Sequence, residues 1–244
     1  MQKSDRRILV IDAGNTAVKC GLFADGILAQ VQRFHTASFL NDPRKNFDEE
    51  FDVVVFSSVL GHDDTQTITN AFGNVFQVVS DCNTGLEMAY ESPQTLGMDR
   101  LCNAVAARNL CSTTYAVSVD IGTCIKFDVV EKNTYLGGSI SPGIDLRYKS
   151  LHNYTAKLPL INEKIPVPLT GRSTKASIHS GVINGMQAEI EGLIRKYNTD
   201  FRDLTFFITG GDSCHFDLAG KNNIFADENL TLKGLYYIYL ANVH

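Results

Sequence analysis

Short apolar runs alternating with polar and turn-forming stretches set the rhythm of the first half of the chain. Residues 8–23 hold two such runs around Asp12-Ala13-Gly14-Asn15-Thr16, a pattern that predicts a β-hairpin. Residues 26–34 extend it with a further strand. Residues 41–50 are polar, carry Pro43 and read as helix or loop. Asp-Val-Val-Val-Phe-Ser-Ser-Val at 52–59 is a continuous β-branched run, suited to a strand buried on both faces in a parallel pairing. Residues 64–72 predict a helix and 75–79 another short strand.

Residues 90–97 form a polar loop with Pro93, followed by an alanine-rich helix. Leu101, Ala104, Val105 and Arg108 fall at three- and four-residue spacing, which puts Asp99 and Arg100 in or just before its first turn. The apolar–turn–apolar pattern of residues 8–23 then returns at 116–130, and laying Asp12 on Asp120 also lays Gly14 on Gly122. Residues 136–143 read as a glycine-rich loop, 144–156 as a helix and 158–170 as an extended, proline-bearing segment. A long helical pattern covers 174–197, interrupted by Gly181, Gly185 and Gly192. An apolar strand at 205–209 ends in Gly210-Gly211-Asp212, and 229–243 predict a closing helix. Alternating strands and helices indicate an α/β protein, and the repeat indicates a duplicated fold. The expected halves are 1–112 and 113–244, meeting near residues 109–115 without a flexible linker.

The repeated turn has a readable chemistry. A glycine with φ > 0 would let a phosphate approach its N–H, and successive N–H groups make an anion-binding concavity. Thr16 and Thr123 would add hydroxyl donors, and Lys19 would reach back along its strand toward phosphate oxygens. Asp12 and Asp120 stand where strand meets turn and suit a cation better than a phosphate. Either copy alone also reads as an ordinary hairpin turn; the pair points to a polyanion held between duplicated halves.

Composition narrows the classes. At 244 residues and 44% hydrophobic, the chain can bury a substantial core as one large domain or two ordinary ones. A formal net charge of −5 and the lack of a Lys/Arg-rich run argue against nucleic acid as a partner. Ile8–Ile11 is too short for a signal core and no run approaches a membrane span, so a soluble, cytoplasmic protein without a membrane partner is expected. The six cysteines form no Cys-x-x-Cys pair and read as reduced, while the six histidines, His244 included, show no metal-ligand spacing.

Four motifs then occur in order: Asp12-x-Gly14-Asn15-Thr16-x-x-Lys19, Gly97-x-Asp99-Arg100, Asp120-x-Gly122-Thr123 and Gly137-Gly138-x-Ile140-x-Pro142-Gly143. Smaller echoes are Ser57-Ser58-Val59, Tyr90 upstream of Gly97, Gly171-x-x-Thr174, Thr209-Gly-Gly-Asp212 and Leu232-x-Gly234-Leu235. Together they resemble the ordered motif set of type III pantothenate kinases, within the actin/sugar-kinase superfamily, over essentially the whole chain. The resemblance implies a duplicated ribonuclease-H-like (actin-like ATPase) fold, two halves with mixed central sheets flanked by helices. It implies a kinase that phosphorylates pantothenate with ATP in the first step of coenzyme A biosynthesis, using magnesium and a monovalent cation, potassium or ammonium, as a homodimer.

By this resemblance Asp12, Ala13, Gly14, Asn15, Thr16, Ala17, Val18 and Lys19 would hold ATP, joined by Thr123 from the second turn. Asp12 would position magnesium through water, and Asp120 would bind the monovalent cation. Tyr90, Gly97, Met98, Asp99, Arg100 and Thr174 would contact pantothenate, with Asp99 accepting the proton of its hydroxyl. A carboxylate near a helix N-terminus is a weak base, which a loose phosphoryl-transfer transition state tolerates. Residues 138–143 could bring backbone near the substrate or form a buried structural turn. The turn at 209–212 would approach the adenine side.

Two positions depart from the family pattern, which continues the second turn as Ala-x-Thr where this chain has Cys124 and Lys126. Cys124 is a small apolar swap that reads as packing. Lys126 has two readings: an ammonium close to Asp120 that lessens dependence on an added cation, or a solvated or interface lysine on an outward strand face. The second is the preferred expectation. Competing functions are a kinase of the same superfamily acting on a sugar or another hydroxyl acceptor, and a non-catalytic regulatory relative. Asp12, Lys19, Asp99 and Asp120 all being present argues against the latter. No phosphate-binding Gly-x-x-x-x-Gly-Lys-Ser/Thr loop, dinucleotide Gly-x-Gly-x-x-Gly or protein-kinase signature set occurs.

Overall fold

The computed structural model describes residues 6–218 and 223–243. The readings of the extreme N-terminus and of His244 fall outside them. Contacts group the chain into two compact units. Unit 1 comprises Met1–Leu86, Ser92–Ala106 and Asn229–His244; unit 2 comprises Glu87–Glu91 and Ala107–Glu228.

Unit 1 is built on a mixed five-stranded sheet. Strands β1 (Arg7–Ala13), β2 (Ala17–Ala24) and β3 (Ile27–His35) form an antiparallel meander. β4 (Val53–Ser58) and β5 (Val75–Gln77) continue it in parallel on the far side of β1, in the order β3-β2-β1-β4-β5. One cluster of core residues in this unit joins Leu9, Ile11 and Ala13 of β1, Val18 and Cys20 of β2 and Val54 and Phe56 of β4 to Phe39, Ile68 and Phe72. Phe39 and Ile68 come from α1 (Thr36–Asn41) and α2 (His62–Ala71). The polar segment 41–50 contains one 3-10 turn at Arg44–Asn46.

Helix α3 (Met98–Leu110) starts in this unit, and the division falls between its Ala106 and Ala107.

Unit 2 repeats the plan. Its antiparallel meander is β7 (Tyr115–Ile121), β8 (Cys124–Glu131) and β9 (Thr134–Pro142). β10 (Leu204–Thr209) and β11 (Ile224–Ala226) lie parallel to β7 on its other side, and β6 (Glu87–Met88) pairs in parallel with the outer edge of β9. The order β11-β10-β7-β8-β9 is that of unit 1 with each strand replaced by its counterpart, so the duplication holds in topology as well as in motif. Helices α4 (Ile144–Asn153) and α5 (Thr174–Asp200) cover the sheet, α5 burying Ile178, Val182, Met186, Ile190 and Ile194 at four-residue spacing. The helix runs unbroken through Gly181 and Gly185, where an added Cβ would meet nothing within 4 Å.

Two expectations change here. Residues 136–143 are not a loop: all but Gly143 belong to β9. The glycines that suggested a loop serve the strand. Gly137 takes φ +110° at a β-bulge opposite Val129/Val130, and a Cβ on Gly138 would lie 1.6 Å from the Phe127 carbonyl oxygen. Of the chain beyond residue 112, the C-terminal helix α6 (Leu230–Val243) belongs to unit 1, not to the unit of the second hairpin. It packs on β1, β2 and β4, and Gly234 lets it approach the backbone of Cys102 so closely that a Cβ there would sit 2.0 Å from the Cys102 carbonyl oxygen.

Candidate active site

The first turn is tight and anchored. Gly14 N–H donates to the Ala17 carbonyl at 3.0 Å, and Thr36 at the start of α1 clamps the turn from outside. Its N–H donates to the Thr16 carbonyl at 3.2 Å and its hydroxyl to the Gly14 carbonyl at 2.7 Å. Val59 N–H donates to the Ala13 carbonyl at 3.1 Å, tying the turn to the end of β4. Asn15 and Thr16 ride exposed at the tip, while Ala13 and Val18 are buried beneath it. Asp12 and Lys19 face each other across the antiparallel pair, so their side chains share one face of the sheet.

Gly14 and Gly122 do not have φ > 0; the left-handed glycines among the described residues are Gly26, Gly85, Gly137 and Gly210. Glycine at the first turn instead allows close approach, whereas at the second a Cβ would make an ordinary contact. A Cβ on Gly14 would lie 3.1 Å from the Ala17 oxygen and one on Gly122 3.6 Å from Asp120 Oδ1.

The second element of unit 1 is the start of α3. Gly97 accepts from Leu101 N–H at 3.2 Å and opens the helix. The Asp99 carboxylate folds back over it: a Cβ on Gly97 would lie 2.6 Å from Asp99 Oδ1. Met98 and Asp99 are half-buried and Arg100 is only 6% exposed. Thr231 of α6 donates to Asn103 Oδ1 at 2.8 Å, which with the Gly234–Cys102 packing holds α3 in place. Burial pushes the Cys102 thiol well above its usual range, and the nearby charges of Asp12, Asp99 and Cys82 push it further. Burial and Asp12 likewise raise Cys20.

In unit 2 the second turn is one residue shorter, with Gly122 N–H donating to the Cys124 carbonyl at 3.0 Å and Thr123 exposed at its tip. Gly143 packs against it; a Cβ there would stand 2.0 Å from the Gly122 oxygen. Asp120 and Lys126 are directly opposed in the strand pair, the same relation as Asp12 and Lys19. Lys126 Nζ lies 2.7 Å from Asp120 Oδ2, and both side chains are 16% exposed. The reading of Lys126 as a solvated, outward lysine is corrected: an opposite charge sits directly across the strand pair, and most of the stem is covered. The Thr209–Asp212 turn closes on the same place. Gly210 takes φ +97°, and Asp212 N–H donates to the Ile121 carbonyl at 2.9 Å.

The remaining candidates of unit 2 lie elsewhere on it. Tyr90 packs edge-on against Tyr135 with ring centroids 5.7 Å apart and touches the bulge at Gly137. Tyr135 donates to the buried Asp128 at 2.7 Å, a support that the sequence signals only as a carboxylate inside an apolar strand. Thr174 is exposed in the first turn of α5, which Ser173 caps by accepting from Ala176 N–H at 3.2 Å. Gly171 packs against that first turn, where a Cβ would come 2.3 Å from Ser177 N. Beyond the motifs, Glu189 of α5 accepts from Ser141 and pairs with Arg147, fastening the end of β9 to α4 and α5.

The donor sets discriminate between the implied ions. Among the described residues no group of three or more His, Cys, Asp or Glu side chains is placed to hold a metal. A single half-buried carboxylate, Asp12, fits magnesium, which binds through one or two carboxylates, water and substrate phosphates. Asp120 does not fit a soluble monovalent cation in the same way, because its Oδ2 already holds an ammonium.

Comparison with known proteins decides the family. The family model described as "Type III pantothenate kinase" matches residues 8–196. The chain belongs to the type III pantothenate kinase family. A type III pantothenate kinase of Christiangramia forsetii is 39% identical over 239 residues, covering 96% of this chain and 98% of the relative. One from Cytophaga hutchinsonii is 38% identical, covering 96% and 99%. Component A of the Acidaminococcus fermentans (R)-2-hydroxyglutaryl-CoA dehydratase covers 97% of this chain and 99% of its own at a TM-score of 0.52 and 14% identity, a likeness of fold alone. The fold is the expected α/β one, with two mixed sheets flanked by helices. As a type III pantothenate kinase this is an ATP-using enzyme that phosphorylates pantothenate in coenzyme A biosynthesis. Among the described residues no helix is long and apolar enough to cross a membrane.

Proposed function

We propose that this pantothenate kinase works through Asp99 as the base and through the Asp12–Lys19 turn as the phosphate grip. The observation that carries the reading is the placement of Asp99 in the first turn of α3, with its carboxylate over Gly97 where only glycine leaves room, in the same unit as the Asp12–Lys19 pair. The primary hydroxyl oxygen of pantothenate forms a bond to the γ-phosphorus as the bond from that phosphorus to the β–γ bridging oxygen breaks. The hydroxyl proton passes to Asp99, and ADP leaves. Asn15 and Thr16, exposed at the tip, and Lys19 across from Asp12 would orient the phosphates, with Ala13, Gly14, Ala17 and Val18 shaping the turn. Magnesium held beside Asp12 would neutralise charge on the phosphates.

Gly97, Met98 and the buried Arg100 complete the acceptor side of unit 1. In unit 2, Tyr90 and Thr174 are our candidates for pantothenate and Thr123 for the nucleotide. A homodimer working in the cytoplasm, where ATP is supplied, is part of the same reading. A coupled ADP-release assay over a small acceptor panel tests it: ADP should form from ATP only when pantothenate is present. Equal service by a sugar, with pantothenate inert, would overturn the assignment.

A further inference from the structure

The Asp120 end of unit 2 contains a close pair of opposite charges. Strand pairing sets Asp120 directly across from Lys126, and the ammonium reaches Oδ2 at 2.7 Å. The other carboxylate oxygen is enclosed by backbone, since a Cβ on Gly210 would come within 2.5 Å of Oδ1 and one on Gly122 within 3.6 Å. In the strand register, Thr209 and Lys126 flank Asp120, and Ile140 lies beyond Lys126. Lys126 and Asp120 are each 16% exposed, so the pair is shielded from bulk salt more than a surface pair would be.

An alkylammonium carries the unit charge of potassium or ammonium and bonds a carboxylate at a similar distance. A second cation at the same carboxylate would meet this one at close range and be repelled. We propose that Lys126 supplies, as a tethered ammonium, the positive charge at Asp120 that a soluble monovalent cation would otherwise supply. Turnover is then independent of potassium and ammonium ions. Lys126 thereby positions Asp120 and holds the end of β7 against the Gly210 turn without touching substrate. The inference rests on the kinase reading for its turnover arm only; its melting arm does not.

The test compares wild type with Lys126→Thr in choline chloride and in potassium or ammonium chloride at equal ionic strength. Wild-type rates with pantothenate and wild-type thermal midpoints should be the same in all three media, within about twofold for the rate, since only general screening changes. Lys126→Thr should lose most of its turnover in choline and recover it in potassium or ammonium, and its midpoint should rise with those ions and not with choline. Lys126→Arg, which keeps the charge, should stay ion-independent and guards against a threonine variant that does not fold. A wild type activated several-fold or stabilised by potassium over choline would overturn the proposal. So would a folded Lys126→Thr that turns over at the wild-type rate in choline. Absence of pantothenate-dependent ADP in every medium would instead strike the kinase reading, leaving the melting arm to decide this one.

Discussion

The hairpins β1–β2 and β7–β8 set an aspartate against a lysine in the same register, yet the first turn carries one residue more than the second. That residue is the difference between a Gly14-to-Ala17 closure and a Gly122-to-Cys124 closure. The longer turn exposes two polar tip residues, Asn15 and Thr16, and is clamped from outside by Thr36. The shorter one exposes Thr123 and is backed by Gly143. In both hairpins the lysine stands directly across from the aspartate, and in the second its ammonium lies 2.7 Å from Asp120 Oδ2. The two units therefore share a strand plan and an aspartate at the end of the first strand of each hairpin, while loop length and neighbours differ between the copies.

The strongest way to break this comparison is to show that one hairpin supplies the base. Asp99 lies in neither, and Asp99→Asn should lower kcat by roughly 10²- to 10⁴-fold with folding and ATP binding intact. Near wild-type turnover would return the base to one of the two aspartates. A smaller effect separates the turns by packing. Gly143→Ala forces a Cβ to 2.0 Å from the Gly122 oxygen and should cost about 3 kcal/mol in urea unfolding, whereas Gly14→Ala, at 3.1 Å from the Ala17 oxygen, should cost under about 1 kcal/mol. Equal losses would mean that the second turn yields as easily as the first.

Much of this frame was legible in the chain. Two apolar runs around an Asp-x-Gly turn predict a hairpin because strand period and turn chemistry agree, and both hairpins form. Asp99 in the first turn of α3 was readable from helical spacing. What escaped was set by contacts distant in sequence. Residues 136–143 look like a loop by glycine and proline content, yet those glycines answer to a bulge and to the neighbouring β8 backbone. β6 and β11 are two and three residues long and exist only through their partners β9 and β10. Nothing local assigns α6 to unit 1, because the Gly234 contact that seats it is with Cys102. The positive φ that glycine permits is not taken at Gly14 or Gly122; at Gly14 the glycine serves close approach to the Ala17 oxygen instead. Lys126 was legible as an oddity and not as a partner, since a strand lysine reads as solvated until the residue across the ladder is known.

The unequal use of two like frames is tested most directly by ATP affinity, measured by calorimetry on Lys19→Met and Lys126→Met in choline and in potassium chloride. Lys19→Met should weaken ATP binding by about tenfold or more in both media, the loss of one charge-assisted contact. Lys126→Met should bind ATP within about threefold of wild type once potassium is present, a residue too small for a lost phosphate contact. Equal weakening of both variants, unmoved by potassium, would contradict the account, because the two lysines would then do the same work.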